Sequence, residues 1–318
     1  MADGLKKGQR LSLSLDYGEN LMRSDPSGKN LDISTSGNTS GKPNKLRLPH
    51  LYAKTYKNWP YVLATTLLSK YHTKALLRDG REIILSKHSQ ASLIAYSSVM
   101  KMNVDVWGDT VSLRYKDKDL HFKGAFHDGD ILGIFINREY ESLNVSGCTV
   151  IDVGASIGDS AIYFAESGAV RVLAIEPFPT TYNKLLENIQ INGYQNLITP
   201  INALVSGSKG TLKIDDKVDA TGSLRAADVS EGVSVESIAL RDLLGYVKGD
   251  VVLKMDCEGC EYDVFKEATQ QEMATFKEIF LEFHHGGCPK DIIRKLDGFR
   301  VSVRGSGRGL IHAINKGR

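Results

Sequence analysis

The chain has 318 residues, 42% of them apolar and 25% charged, with a net charge of +2. That length allows one large domain or two moderate ones around a sizeable core, and the near-neutral balance excludes a global attraction to polyanions. Four cysteines in so long a chain exclude a disulfide framework, and no uncharged apolar run approaches the roughly 18 residues of a membrane span.

The start, MADGLKKGQR, lacks the apolar stretch of a signal peptide, so a cytoplasmic protein is expected. Residues 1–48 are rich in Ser, Gly, Asn, Lys and Asp and read as a flexible polar tail, with a weak strand signal near Leu11–Leu15. Residues 1–50 carry eight Lys or Arg against five acids, and residues 300–318 carry Arg300, Arg304, Arg308, Lys316 and Arg318 with no acid. Solvated surface accounts for such ends. Attraction of an anionic substrate or a nucleic acid is the alternative.

A folded N-terminal α+β region is expected over 49–146. NWPYVLATTLLSKYH puts Val62, Leu63, Leu67 and Leu68 on helical spacing behind Pro60. ALLRDGREIIL reads as a hairpin turning at Asp79-Gly80. Residues 90–102 read as a helix. VDVWGDTVSLRYKDKDLHFKGAF reads as strands broken at Gly108-Asp109 and Lys116–Asp119, and GDILGIFIN with REYESL reads as a short helix.

From 147 to 318 the rhythm changes to buried-type strands alternating with helices. CTVIDVG, VRVLAIE, LITPINALV, DVVLKMD and EIFLEF are the main strands, with a short strand and helix in VSVESIALRDLLGYV. DSAIYFAESG, PTTYNKLLENIQING, EYDVFKEA and PKDIIRKLD are helices, the second with Tyr182, Leu185, Leu186 and Ile189 on one face. FRVSVRG and LIHAIN flank a Gly-rich turn. Repeated βα units imply a parallel sheet covered on both faces, and the closing hairpin requires an antiparallel strand.

The first of these βα turns, Gly154-Ala-Ser156-Ile-Gly158, admits two readings. It matches the G-x-S-x-G nucleophile elbow, and Ser156, Asp256 and His284 follow in hydrolase order. It also occupies the cofactor turn of a doubly wound sheet, whereas an elbow normally comes after several strands. Glu176 ends the second strand 22 residues beyond Gly154, where an acid can accept hydrogen bonds from ribose hydroxyls. Ser156 stands where a dinucleotide pattern needs glycine, which weakens NAD and FAD as cofactors.

VIDVGASIGDSAIYFAESGAVRVLAIEPFP, LKMDCEGCEYDVF and LEFHHG together resemble the FkbM-type S-adenosylmethionine-dependent methyltransferases, most closely archaeal members. The resemblance spans roughly 125–305. LRDG at 77–80 and GDILGIF at 129–135 are candidates for further parts of it. Ser156 departs from the asparagine common in the family. The resemblance implies a class I methyltransferase fold, a Rossmann-like α/β sheet of seven strands with an antiparallel last strand. It implies S-adenosylmethionine as cofactor and a hydroxyl on a small molecule or glycan as acceptor.

Within that frame, Asp152 resembles the acid facing the amino-acid part of the donor. Gly154, Ser156 and Gly158 let the backbone approach, and the helix from Asp159 offers free N–H groups. Glu176 and Pro177 would meet the ribose, and Asn202 and Ala203 the adenine edge. Asp256, Glu258, Glu282 and His284 lie at the ends of the fourth and fifth strands and are the catalytic candidates. His284 is the preferred general base, because an ordinary histidine pKa of ~6.5 suits proton removal near neutrality. The bland alternative for Glu258 and Glu261 is a helix cap.

Cys257-x-x-Cys260 with His284, His285 and Cys288 can supply zinc ligands, and a divalent ion on Asp256, Glu258 and Glu282 is a further alternative. Since the family carries small apolar residues at the cysteine positions, and free cysteine is a common buried hydrophobe, no metal is assigned. An RNA methyltransferase acting on a ribose 2′-hydroxyl and a non-catalytic nucleotide-binding module remain the other functional readings. Nucleic acid is the less favoured partner, because no RNA-binding module is visible.

Overall fold

The computed structural model describes residues 48–68, 72–126, 129–214 and 232–318. The expected polar tail lies outside them apart from Leu48, as does the strand expected near Leu11–Leu15.

Helices α1 (Leu48–Thr55) and α2 (Trp59–Leu67) open the described chain, with Pro60 in the first turn of α2. The hairpin β1 (Thr73–Leu76) and β2 (Glu82–Leu85) pairs antiparallel, and Gly80 supplies the positive φ its turn needs. Helix α3 (His88–Val99) follows, and Leu51, Tyr52, Tyr56, Val62 and Ala91 form a small core here. Leu67 and Leu68, expected on the buried face of α2, are exposed. The helix ends at Leu67, so both residues stand at its C-terminal end.

Strands β3 (Val104–Trp107), β4 (Thr110–Tyr115) and β5 (Lys118–Lys123) form an antiparallel meander broken where Gly108-Asp109 and Lys116 predict. GDILGIF contributes one π-helical turn, Leu132–Ile136, and REYESL continues as turns instead of the expected helix.

The remaining elements are β6 (Thr149–Val153), α4 (Asp159–Glu166), β7 (Arg171–Ile175), α5 (Pro179–Ile191), β8 (Ile198–Ile201), β9 (Leu204–Ser206), β10 (Gly210–Ile214), β11 (Val233–Ala239), α6 (Leu240–Leu244), β12 (Val251–Met255), α7 (Glu261–Glu267), α8 (Gln270–Met273), β13 (Phe276–Phe283), α9 (Pro289–Ile293), β14 (Phe299–Gly305) and β15 (Gly309–Asn315). Seven strands make the main sheet in the order β14-β15-β13-β12-β6-β7-β8. Neighbours from β13 to β8 pair parallel, and β15 alone runs against them. This is an α/β class I arrangement. Strands β6 and β12 are buried along their whole length, as a central parallel strand covered on both faces must be.

One apolar core, with Phe135, Tyr163, Phe164 and Leu185, lies on one face, and another, with Phe265, Phe276 and Leu296, on the other. The expected third strand LITPINALV divides at Asn202-Ala203. Its first half is β8, and its second half, β9, joins β11 and β10 in a separate sheet. Within α5, Leu185 and Ile189 are buried but Leu186 is exposed, so the buried stripe is narrower than its spacing predicts.

Meander and sheet are joined through α5. Asn188 Oδ1 accepts from Lys123 N at 2.8 Å and its Nδ2 donates to Lys123 O at 3.0 Å. Asn192 repeats the pattern one turn on, with His121 N and O at 2.8 and 2.7 Å. Two asparagine amides thus satisfy the free edge of β5, which backbone pairing leaves open.

Candidate active site

Strand order reverses between β6 and β12. β7 and β8 continue to one side of β6, and β13 lies on the other side of β12. A crevice at the carboxyl ends is expected at such a point. The turn after β6 and the loop after β12 meet there so closely that a Cβ on Gly154 would collide with the Asp256 carbonyl oxygen. Gly154 and Gly158 both have positive φ, which fits glycine at these two positions.

The β6 turn is held from several sides. Gly154 N and Ala155 N donate to Ile175 O at 3.0 and 2.9 Å, and Asn188 Nδ2 donates to Ile157 O at 2.9 Å. Glu176, buried just past β7, accepts from Ser156 N through Oε2 and from Phe178 N through Oε1, each at 3.0 Å. Its carboxylate therefore sits at the mouth of the glycine turn. Pro177 is buried beside it, and Ala203 is buried after β8. Asn202 is exposed, with its Nδ2 donating to the carbonyls of Glu176 and Pro177 at 2.8 and 3.1 Å.

Asp152 lies deeper than its expected role suggests. It is fully buried, with Oδ1 3.0 Å from Lys254 Nζ and Oδ2 accepting from Ser160 Oγ at 2.7 Å. Lys254 stands beside it on β12 and also donates to Gly154 O at 2.8 Å. Burial pulls the Lys254 pKa down, but Asp152, Asp256 and Asp159 outweigh it and leave it above the ordinary lysine value. Asp159, in the first turn of α4, accepts from Asp130 N at 2.6 Å and from Ser160 N at 3.0 Å. Burial pushes its carboxyl up to about 7.

The other half of the crevice is acidic. Asp256 and Glu258 follow β12, and Glu282 and His284 stand at the end of β13. His284 Nδ1 donates to Oε1 of the fully buried Glu261 at 2.9 Å. Its Nε2 lies 3.3 Å from Glu258 Oε2, 3.7 Å from Asp256 Oδ1 and 3.8 Å from Glu282 Oε1. Arg308, on the turn between β14 and β15, meets Glu282 at 2.5 Å and Glu258 at 3.6 Å. Burial lowers the His284 pKa, but the carboxylates of Glu258 and Glu261 beside the ring override it and raise it to about 10. Burial raises Asp256 to about 6, with Lys254 opposing.

The premise that made His284 the general base, an unperturbed pKa near neutrality, therefore fails in this surrounding, where the ring is an imidazolium at pH 7. Nε2 also faces carboxylates, an arrangement that does not activate a serine. Cys257 and Cys260 are joined in a disulfide and offer no thiolates to zinc, while Cys288 is free. Three residues apart around a turn, the two sulfurs are brought together by the loop itself.

Sequence reasoning missed four further groups. Lys254 was signalled only as a lone charge in the apolar run VVLKM, and Glu261 only as a cap. Arg308 was read only as part of a basic end. Glu139 left no signal, yet burial, with Asp130, Glu282 and Asp256 adding, raises its carboxyl to about 7.

Comparison with known proteins finds likenesses to methyltransferases. Residues 152–300, just under half of the chain, match the family model of the methyltransferase FkbM domain. Methyltransferase sdnD of Sordaria araneosa is 22% identical over 193 residues, covering 58% of this chain and 67% of that protein. Among solved structures, the SAM-dependent methyltransferase of Agrobacterium tumefaciens aligns over 74% of each chain at 9% identity and a TM-score of 0.39. M. jannaschii TYW2 in complex with AdoMet aligns over 65% of this chain and 86% of its own at 18% identity and a TM-score of 0.35. The finer likeness to archaeal members finds no support in these matches.

Proposed function

We propose that the protein methylates a hydroxyl oxygen of a small molecule or glycan. It is an S-adenosylmethionine-dependent methyltransferase over the region matched by the family model. The observation that carries the acceptor reading is the convergence of Asp256, Glu258, Glu282 and His284 beside the glycine turn. Such a rim can hold a hydroxyl and take its proton.

The residues present fit the cofactor. Gly154 lets the glycine turn close against the Asp256 loop, and Glu176 places a carboxylate at the mouth of the turn for two hydroxyls of a ribose. Gly154, Ser156, Gly158, Glu176 and Pro177 would line its nucleoside side, with Asn202 and Ala203 at the far edge. Asp152 and Asp159 would shape the α4 end. When bound, S-adenosylmethionine supplies a methyl group activated by its sulfonium.

The protein's part is positioning and proton removal. Asp256 is the preferred proton acceptor, because a carboxyl near 6 is ionised at neutral pH yet still basic enough to take a proton. The His284 imidazolium offsets the charge of Glu258 and Glu261 and keeps the rim compact. Residues 49–146 would help to select the acceptor, and 147–318 would hold the donor.

The test is transfer of a labelled methyl group to a panel of hydroxylated small molecules, glycans and RNA. Label in a small molecule or glycan, lost in Glu258→Ala while donor binding persists, is the expected result. Label confined to RNA ribose would overturn the acceptor class, and donor binding with no transfer to any acceptor would favour a non-catalytic module.

A further inference from the structure

We propose that Asp256, Glu282 and His284 form a binding site for a divalent first-row metal ion. The sequence offers a divalent ion on Asp256, Glu258 and Glu282 only as an alternative and assigns no metal. The site itself stands on the geometry below, and its use in catalysis rests on the methyltransferase reading.

The donors come from two adjacent strand ends, so the sheet fixes their approach. One ligand atom from each residue lies within 4.8 Å of the others. Around an ion about 2.0–2.2 Å from nitrogen and oxygen donors, ligand atoms stand about 3 Å apart at right angles and about 4 Å apart across the ion. The 3.7 and 3.8 Å separations from His284 Nε2 to Asp256 and Glu282 fall within that span.

The second observation is the histidine. His284 is only 5% exposed, and Glu261 holds its Nδ1, which turns Nε2 into the cluster. Nε2 makes no hydrogen bond of good geometry there, and neither does Asp256 Oδ1. A buried nitrogen and a carboxylate oxygen facing one another without such a bond point to a shared ligand, since buried polar atoms are otherwise satisfied. Glu261 supplies the carboxylate–histidine contact that characteristically orients a metal-bound imidazole. The other charges acting on the cluster are Glu258, 3.3 Å from Nε2, Arg308, an exposed side chain reaching Glu282 from the β14–β15 turn, Lys254, which favours the Asp256 anion, and Asp130 and Glu139, whose carboxyls Glu282 helps to raise.

The donor set of one imidazole and two carboxylates suits manganese(II), iron(II) or zinc better than calcium or magnesium, which favour all-oxygen sites. A filled site would displace the proton from His284 and hold the acceptor hydroxyl, lowering its pKa. The O–H bond would then break with its proton passing to Glu258 and on to water. The freed oxygen pair would form the new O–CH3 bond as the C–S bond breaks, its electrons staying on sulfur. Asp256 then acts as a ligand, and the ion takes over the activation of the hydroxyl.

The test uses the full chain, stripped with a chelator and titrated with manganese(II) chloride while the signal of free ion is followed by electron paramagnetic resonance. Saturable uptake of one ion per chain is expected, lost in Asp256→Asn and in Glu282→Gln. Glu261→Gln should weaken it by about 10–100-fold, because the ring loses its orienting partner. Calorimetry with S-adenosylmethionine on the same samples shows that each variant is folded and separates the two claims. Donor binding without manganese uptake would overturn the metal site and leave the methyltransferase reading intact, as would uptake unchanged in both carboxylate variants. Manganese uptake without donor binding would uphold the site and contradict that reading.

Discussion

Asp256 sits between opposed influences. Burial and the neighbouring Glu282 raise its carboxyl, while Lys254 and His284 lower it, and the balance leaves it at about 6. The anion is the form that takes a proton from the acceptor hydroxyl. Transfer is therefore expected to rise with pH through about 6 and to level off above it. Below that value the rate should fall tenfold for each unit. Asp256→Asn should remove this limb and lower the rate by about 10²–10⁴-fold. Steady-state rates across the acid-to-neutral range check both, and an unchanged acid limb in the variant would contradict the assignment.

At this scale the sequence shows acids and glycines at strand ends but not what they touch. Gly154, Glu176, Asp256 and His284 are legible because the βα rhythm places them. The Asp152–Lys254 pair is not legible, because the two residues meet across adjacent strands about a hundred positions apart. The His284 pKa was misjudged for the same reason, since Glu258 and Glu261 reach it through the fold.

Among elements, α5 carries more than its own packing. Its buried Asn188 satisfies both the edge of β5 and Ile157 O in the glycine turn. Asn188→Ala leaves buried backbone groups without partners, and a loss of about 1–3 kcal/mol is expected in urea denaturation. A loss within a few tenths of wild type would show that β5 and the turn are held by packing alone.

The helices and parallel strands were readable because buried parallel strands are short apolar runs and the helices between them carry a 3.6-residue period. The break between β8 and β9 was not. Pro200 and Asn202 interrupt an apolar run without saying that its second half joins another sheet. The asparagine clasp was equally hidden, because asparagine on a helix ordinarily reads as solvated surface.

Across the whole molecule, strand order decides where chemistry can occur. The order reverses between β6 and β12, and there the glycine turn meets the Asp256 loop. The antiparallel β15, inserted between β13 and β14, brings Arg308 onto the acidic rim. The closing hairpin was legible as two strands about a Gly-rich turn, but not the side of the sheet it would join. Among the described residues no helix is long and apolar enough to cross a membrane.

The account stands on donor binding in this crevice, and calorimetric titration of the full chain with S-adenosylmethionine and its demethylated product, with NAD as control, tests it most directly. Micromolar binding of the first two, absent for NAD and lost in Glu176→Ala, is the predicted result. A folded wild-type protein that binds neither would contradict it.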